Sequence, residues 1–116
     1  MARVLIVDDD EVVRGIVTKM LERLGHNVAA FADPALALPV VDAEAFELII
    51  TDLSMPTSGE AFIRMLRGRG VQTPILVMSG HLTEEKAQYL LSLNVQDFIG
   101  KPFGLSELVE KVRPLI

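Results

Sequence analysis

Short runs of Val, Ile and Leu alternate along this chain with segments whose apolar residues recur every three or four positions. Val4-Leu5-Ile6-Val7, Leu48-Ile49-Ile50 and Ile75-Leu76-Val77-Met78 are apolar on consecutive residues. A strand of that kind is buried on both faces, as in a parallel sheet covered by helices. The alternation predicts five strands and five helices in βα units of one α/β domain. Strands are expected at about Arg3–Val7, about Asn27–Phe31, a run ending on Asp52, Pro74–Met78 and about Gln96–Ile99, the last the shortest.

The first helix is the clearest, with Val13, Ile16, Val17, Met20, Leu21 and Leu24 at i, i+3, i+4, i+7, i+8 and i+11, and Gly25 ending it. Asp33 caps the second helix and Pro34 takes its first position. Pro39 lies about five residues further on, where it removes a backbone donor and clashes with the preceding turn at about 3 kcal/mol, so a kink or break is expected there. The third helix, about Gly59 to Arg67, presents Phe62, Met65 and Leu66 and stops at Gly68 and Gly70. Thr83 caps the fourth, with Glu84 and Glu85 near its positive end and Ala87, Leu90 and Leu91 facing inward. Leu105, Leu108, Val109 and Val112 mark the fifth, limited by Pro114.

The 116 residues suit one domain spanning 1–116, able to bury roughly 65% of its unfolded surface. No effector segment is expected after the last helix. A net charge of -5 argues against direct nucleic-acid contact. No run approaches the ~20 apolar residues of a membrane span. The absence of cysteine excludes disulfides and thiolate metal sites and fits a cytoplasmic location. The apolar stretch at the start is too short for a signal-peptide core and runs into three acids.

The strands end on chemistry. Asp8 and Asp9 follow the first, Asp52 ends the third, Ser79 follows the fourth and Lys101 follows the fifth. In an open parallel sheet, ligands bind beyond these carboxyl ends. Each residue alone has a plainer role: the acids as helix caps, Asp10 above all, Asp52 in an Asx turn, Ser79 as a turn hydroxyl, Lys101 as a surface amine. Together they make a different case. Converging carboxylates raise one another's pKa unless a cation compensates, and Lys101 with a hard divalent ion held by Asp9 and Asp52 provides that compensation. The set suits phosphoryl transfer, where cations and donors neutralise the equatorial oxygens.

Val7-Asp8-Asp9, Ile50-Thr51-Asp52-Leu53-Ser54-Met55-Pro56, Val77-Met78-Ser79-Gly80 and Gly100-Lys101-Pro102-Phe103 occur in that order, and over essentially its whole length the chain resembles a CheY-like response-regulator receiver domain. The resemblance implies a flavodoxin-like (βα)5 three-layer sandwich with a five-stranded parallel sheet in the order 2-1-3-4-5. It makes Asp52 the nucleophile that takes a phosphoryl group from the phosphohistidine of a histidine kinase or histidine phosphotransfer protein. Asp9, Asp52 and the backbone carbonyl of Ser54 would ligate Mg²⁺, with Mn²⁺ an alternative, and Asp8 would act through a coordinated water. Lys101 and Ser79 would contact the phosphoryl oxygens.

By the same resemblance Phe98 is the aromatic that switches rotamer together with Ser79, and the Lys101-Pro102 peptide bond is cis. Ser54 and His81 flank the approach of attacking water and tune phosphoryl lifetime. The surface of the fourth helix, strand five and fifth helix would pass the signal to a downstream protein, as a monomer or a phosphorylation-dependent dimer. This is signalling and not enzymatic turnover, beyond the domain's own phosphorylation and dephosphorylation. One departure is local: only Thr57-Ser58 separates Pro56 from Gly59, one residue fewer than the family spacing, which predicts a rearranged turn and start of the third helix.

Two rivals are weaker. Asp8-Asp9-Asp10 is similar to the Asp-x-Asp start of haloacid-dehalogenase-type phosphatases, but Glu11-Val12 lacks the hydroxyl expected there and the chain has no room for a cap. A degenerate receiver that acts without phosphorylation is opposed by the intact set of Asp8, Asp9, Asp52, Ser79 and Lys101.

Overall fold

The computed structural model describes residues 1–55 and 58–116. Strands β1 (Arg3–Val7), β2 (Asn27–Phe31), β3 (Leu48–Asp52), β4 (Ile75–Ser79) and β5 (Asp97–Gly100) alternate with helices α1 (Glu11–Arg23), α2 (Pro34–Ala43), α3 (Gly59–Gly68), α4 (Glu84–Ser92) and α5 (Leu105–Val112). A 3-10 turn, Arg113–Leu115, holds Pro114 and follows α5. All strand pairs are parallel, in the order β2-β1-β3-β4-β5. This is the expected (βα)5 architecture.

Period-two alternation sorts the strand residues between two cores. Val4, Ile6, Leu48, Ile50, Leu76 and Met78 pack with Val17 and Leu21 of α1 and Leu108 and Val112 of α5. Leu5, Val7, Ile49, Ile75 and Val77 pack on the opposite face with α2, α3 and α4, through Ala37, Phe62, Leu66 and Leu90. Burial of each large aliphatic side chain contributes about 1.5–3 kcal/mol, so the middle strands, buried at every residue of β3 and β4, anchor the sheet edge that carries Asp52 and Ser79.

Pro39 does not break α2, contrary to expectation: the helix runs unbroken from Pro34 to Ala43. Pro39 and Ala35, whose carbonyl it leaves without an amide partner, are both exposed. Water can satisfy that carbonyl, while the buried Pro34, Ala37 and Val41 hold the helix on the sheet. The apolar periodicity also overstated burial. Leu91 is 45% exposed, and Ile16, Leu24, Met65 and Leu105 are exposed as well. A helix lying on a sheet buries one stripe, and these residues sit at its margins.

Element ends shift slightly. Strand β4 starts at Ile75 and not at Pro74, whose carbonyl accepts from Ile49 N–H at 2.9 Å while its own nitrogen has no proton to give. Gly68 lies inside α3, while Gly25, at φ +89°, ends α1 as expected. Arg67, unremarked in the sequence, ties down the opposite end of the sheet. Its guanidinium donates to the carbonyls of Leu93 (2.8 Å), Val71 (2.8 Å), Thr73 (2.9 Å) and Asn94 (2.8 Å).

Candidate phosphoacceptor site

β1, β3 and β4 are neighbours, so their carboxyl ends deliver Asp8, Asp52 and Ser79 to one edge. Asp8 is fully buried, and Asp52 and Ser79 are nearly so. Asp9 is exposed beside them. Carboxylate oxygens of Asp8, Asp9 and Asp52 all lie within 4.8 Å of one another.

Lys101 enters this cluster from the end of β5. Its backbone N–H donates to the Ser79 carbonyl at 2.8 Å, extending the β4–β5 ladder, and the Lys101-Pro102 peptide bond is cis. Its Nζ donates to Asp8 Oδ2 at 2.8 Å and lies 3.2 Å from Asp52 Oδ2. One ammonium thus serves two buried carboxylates from different strands.

Each acid is held by its own loop. Asp8 Oδ1 accepts from Asp10 N–H at 2.9 Å, and Arg14 Nη1 donates to the Asp8 carbonyl at 2.7 Å. Asp10 is the cap of α1, accepting from Val12 N–H and Val13 N–H, which sets it apart from the cluster. Asp52 Oδ1 accepts from Ser54 N–H at 3.3 Å. Ser79 Oγ accepts from His81 N–H at 3.2 Å.

Glycine at 59 is a steric requirement. A Cβ there would stand 2.1 Å from the Asp52 carbonyl oxygen and 2.8 Å from Leu53 Cα. α3 therefore begins in direct contact with the backbone of Asp52, a close approach that only Gly permits. The sequence shows the glycine but not this reason for it. The predicted rearrangement around Thr57-Ser58 falls partly outside the described residues, since Pro56 and Thr57 are not among them. Within the described part, Ser58 caps α3 by accepting from Ala61 N–H, and α3 starts at Gly59, the position read from the helical pattern.

Burial raises the pKa of Asp52 above the ordinary aspartate value; the negative charge of Asp8 adds to this, while attraction to Lys101 and the hydrogen bonds from Lys101 and Ser54 oppose it. Burial alone would depress Lys101, but its hydrogen bond to Asp8, with the charges of Asp52 and Asp8, outweighs that and holds the ammonium above the ordinary lysine value. Three carboxylates face a single ammonium in the cluster, with Arg14 held off on the Asp8 backbone. This excess of negative charge on hard oxygen donors fits a divalent cation of the Mg²⁺ or Mn²⁺ type.

The remaining predicted residues surround this edge. Ser54, Ser79 and His81 line a cavity of about 320 Å³ on the α3–α4 side. His81 and Ser54 are exposed. Phe98, paired with Val77 across β4–β5, is half-buried against the core beneath α4. Sequence reasoning missed Glu60 and Lys86, which line the same cavity and form an ion pair; charges on two helices carry no sequence signal that they meet.

The response regulator receiver domain family matches residues 4–113. The chain is 34% identical, over 99% of its length, to the alkaline phosphatase synthesis transcriptional regulatory protein SphR of Synechococcus elongatus, of which it covers 49%. It is 35% identical, over 95% of its length, to the nisin biosynthesis regulatory protein NisR of Lactococcus lactis, covering 48% of that protein. The chain spans about half the length of these curated relatives. Among solved structures, the chemotaxis protein CheY4 of Vibrio cholerae is similar with a TM-score of 0.94 and 30% identity, covering 100% of this chain and 99% of that one. The response regulator TrrA of Thermotoga maritima, in complex with Mg²⁺ and BeF, has a TM-score of 0.86 and 26% identity, with 100% of each chain covered.

Proposed function

The chain belongs to the response regulator receiver domain family of two-component signalling, and on that premise we propose that Asp52 is its phosphoacceptor and that a histidine kinase or histidine phosphotransfer protein is the donor. The observation that carries this reading is the single Lys101 ammonium set between Asp8 and Asp52, 2.8 Å from one and 3.2 Å from the other. A carboxylate oxygen of Asp52 forms the new O–P bond as the P–N bond to the donor imidazole breaks, and the electron pair returns to nitrogen. Lys101 and Ser79 then donate to the phosphoryl oxygens, which are stronger acceptors than the carboxylate they replace.

Asp9, Asp52 and the Ser54 carbonyl would hold Mg²⁺, or Mn²⁺, with Asp8 acting through a coordinated water. Such an ion supplies neutralisation of the charge that develops on the transferring group. Ser54 and His81, at the rim of the cavity, govern the approach of water and so the lifetime of the phosphoryl group. Recruitment of Ser79 draws the following loop inward and makes room for Phe98 to change rotamer, altering the α4–β5–α5 surface read by a downstream protein. Full switching of a two-state element needs about 5.5 kcal/mol of differential interaction, which a few charge-assisted hydrogen bonds supply in part. A cytoplasmic place of action follows from this role; among the described residues no helix is long and apolar enough to cross a membrane.

Beryllofluoride with Mg²⁺ tests the assignment. Amide NMR should show saturable shifts around Asp52, Ser79 and Lys101 and across residues 80–112, and Asp52→Ala should show none. Binding that survives in Asp52→Ala, or no binding to the native chain, overturns it.

A further inference from the structure

The cavity lined by Ser54, Ser79 and His81 is also lined by two charged residues of different helices, Glu60 and Lys86. Glu60 lies in the first turn of α3 and Lys86 in the first turns of α4, and they form an ion pair across the gap. Glu60 also accepts from Arg64 Nη1 at 3.1 Å, and that same nitrogen is 3.4 Å from the Tyr89 hydroxyl of α4. The pair is therefore fixed from both helices, and Glu60 is the more enclosed member, its side chain 23% exposed against 43% for Lys86.

Resting on the reading of Asp52 as phosphoacceptor, we propose that the Glu60–Lys86 ion pair is an electrostatic gate on this cavity, setting how fast small anionic phosphodonors reach Asp52. A phosphoryl donor in solution is an anion. Along this cavity it meets the Glu60 carboxylate, which repels it, and the Lys86 ammonium, which attracts it. Neutralising either partner changes the charge lining the cavity by one unit. At the effective dielectric of a protein surface, one charge some way from a reacting anion alters a rate by roughly three- to fivefold, and salt screens it.

The test uses phosphoramidate with Mg²⁺, following phosphorylation by intact-protein mass spectrometry for the native chain, Glu60→Gln, Lys86→Gln and the double variant. Glu60→Gln should be phosphorylated roughly three- to fivefold faster and Lys86→Gln slower by a similar factor, with the double variant between them. Raising the ionic strength should draw the four rates together. A purely structural tie would move both single variants in one direction and leave no such salt dependence. That result, or rates within twofold of the native chain, overturns the gate. Both substitutions are at the surface, and circular dichroism checks that each variant is folded. Failure of the native chain itself to take up phosphate would instead strike the assignment of Asp52, and the gate with it.

Discussion

Lys101 Nζ and Asp8 Oδ2, brought together by the folding of opposite ends of the chain, meet at 2.8 Å in the interior of the site. Asp8 has no solvent exposure at all, so the ammonium is its main counter-charge, and the same nitrogen serves Asp52. Removal of Lys101 leaves two buried carboxylates facing each other. Lys101→Met should lower stability by about 2–4 kcal/mol at neutral pH in Mg²⁺-free buffer, read by urea denaturation, and should abolish phosphorylation by phosphoramidate.

The pH dependence of stability has a definite sign at each end. Asp52 binds its proton more tightly in the folded chain than in the unfolded one. Between the ordinary aspartate value and the raised folded value, the native state holds the extra proton, and stability falls as pH rises through that window. Above that window the ionised Asp52 is therefore a liability without metal, and Asp52→Asn should there unfold at a higher temperature than the native chain in EDTA. Lys101 is also raised; the stability it contributes is fully present below the ordinary lysine value and is lost as pH climbs through the folded one. Thermal melts across pH 4–11 would display both trends, the first missing in Asp52→Asn.

Mg²⁺ should relieve the carboxylate repulsion. At ten times its Kd the ion should add about 1.4 kcal/mol to the unfolding free energy. Asp9 is exposed, so Asp9→Ala should leave the metal-free stability nearly unchanged while erasing this gain. Calorimetric melts with and without Mg²⁺ separate the two effects.

Gly59→Ala places a methyl group 2.1 Å from the Asp52 carbonyl oxygen. The backbone has to move, and an overpacked contact of this kind costs about 1–3 kcal/mol. Urea denaturation should show that loss, and beryllofluoride affinity should fall as the acceptor backbone shifts.

Arg67→Met removes four hydrogen bonds to carbonyls at the far end of the sheet. Stability should drop by about 2–3 kcal/mol with beryllofluoride binding retained, because Arg67 touches none of the site residues.

The architecture was legible because buried strands and amphipathic helices have different apolar periods, and the acids at strand ends could be placed by topology alone. The cis Lys101-Pro102 bond also matched the family resemblance. Pro39 misled because helix propensity is local, whereas the cost of proline depends on whether the freed carbonyl faces water. Leu91 and Leu105 misled because spacing does not show how wide a stripe the sheet will cover. Arg67, Glu60 and Lys86 were invisible for a simpler reason: Arg67 bonds loop carbonyls whose positions no pattern reveals, and Glu60 and Lys86 lie on different helices 26 residues apart.

The approach of α3 to the Asp52 carbonyl has a mechanical consequence. With no side chain between them, the helix and the Asp52 backbone share one seat, and there is no cushion in which displacement on that flank could be absorbed. If Asp52 takes a phosphoryl group as proposed, the resulting strain would be channelled away from α3, toward the flank where the Ser79 hydroxyl accepts one hydrogen bond from His81 N–H. The stiff flank would then give the proposed signal its direction, much as the fixed arm of a balance determines which pan moves.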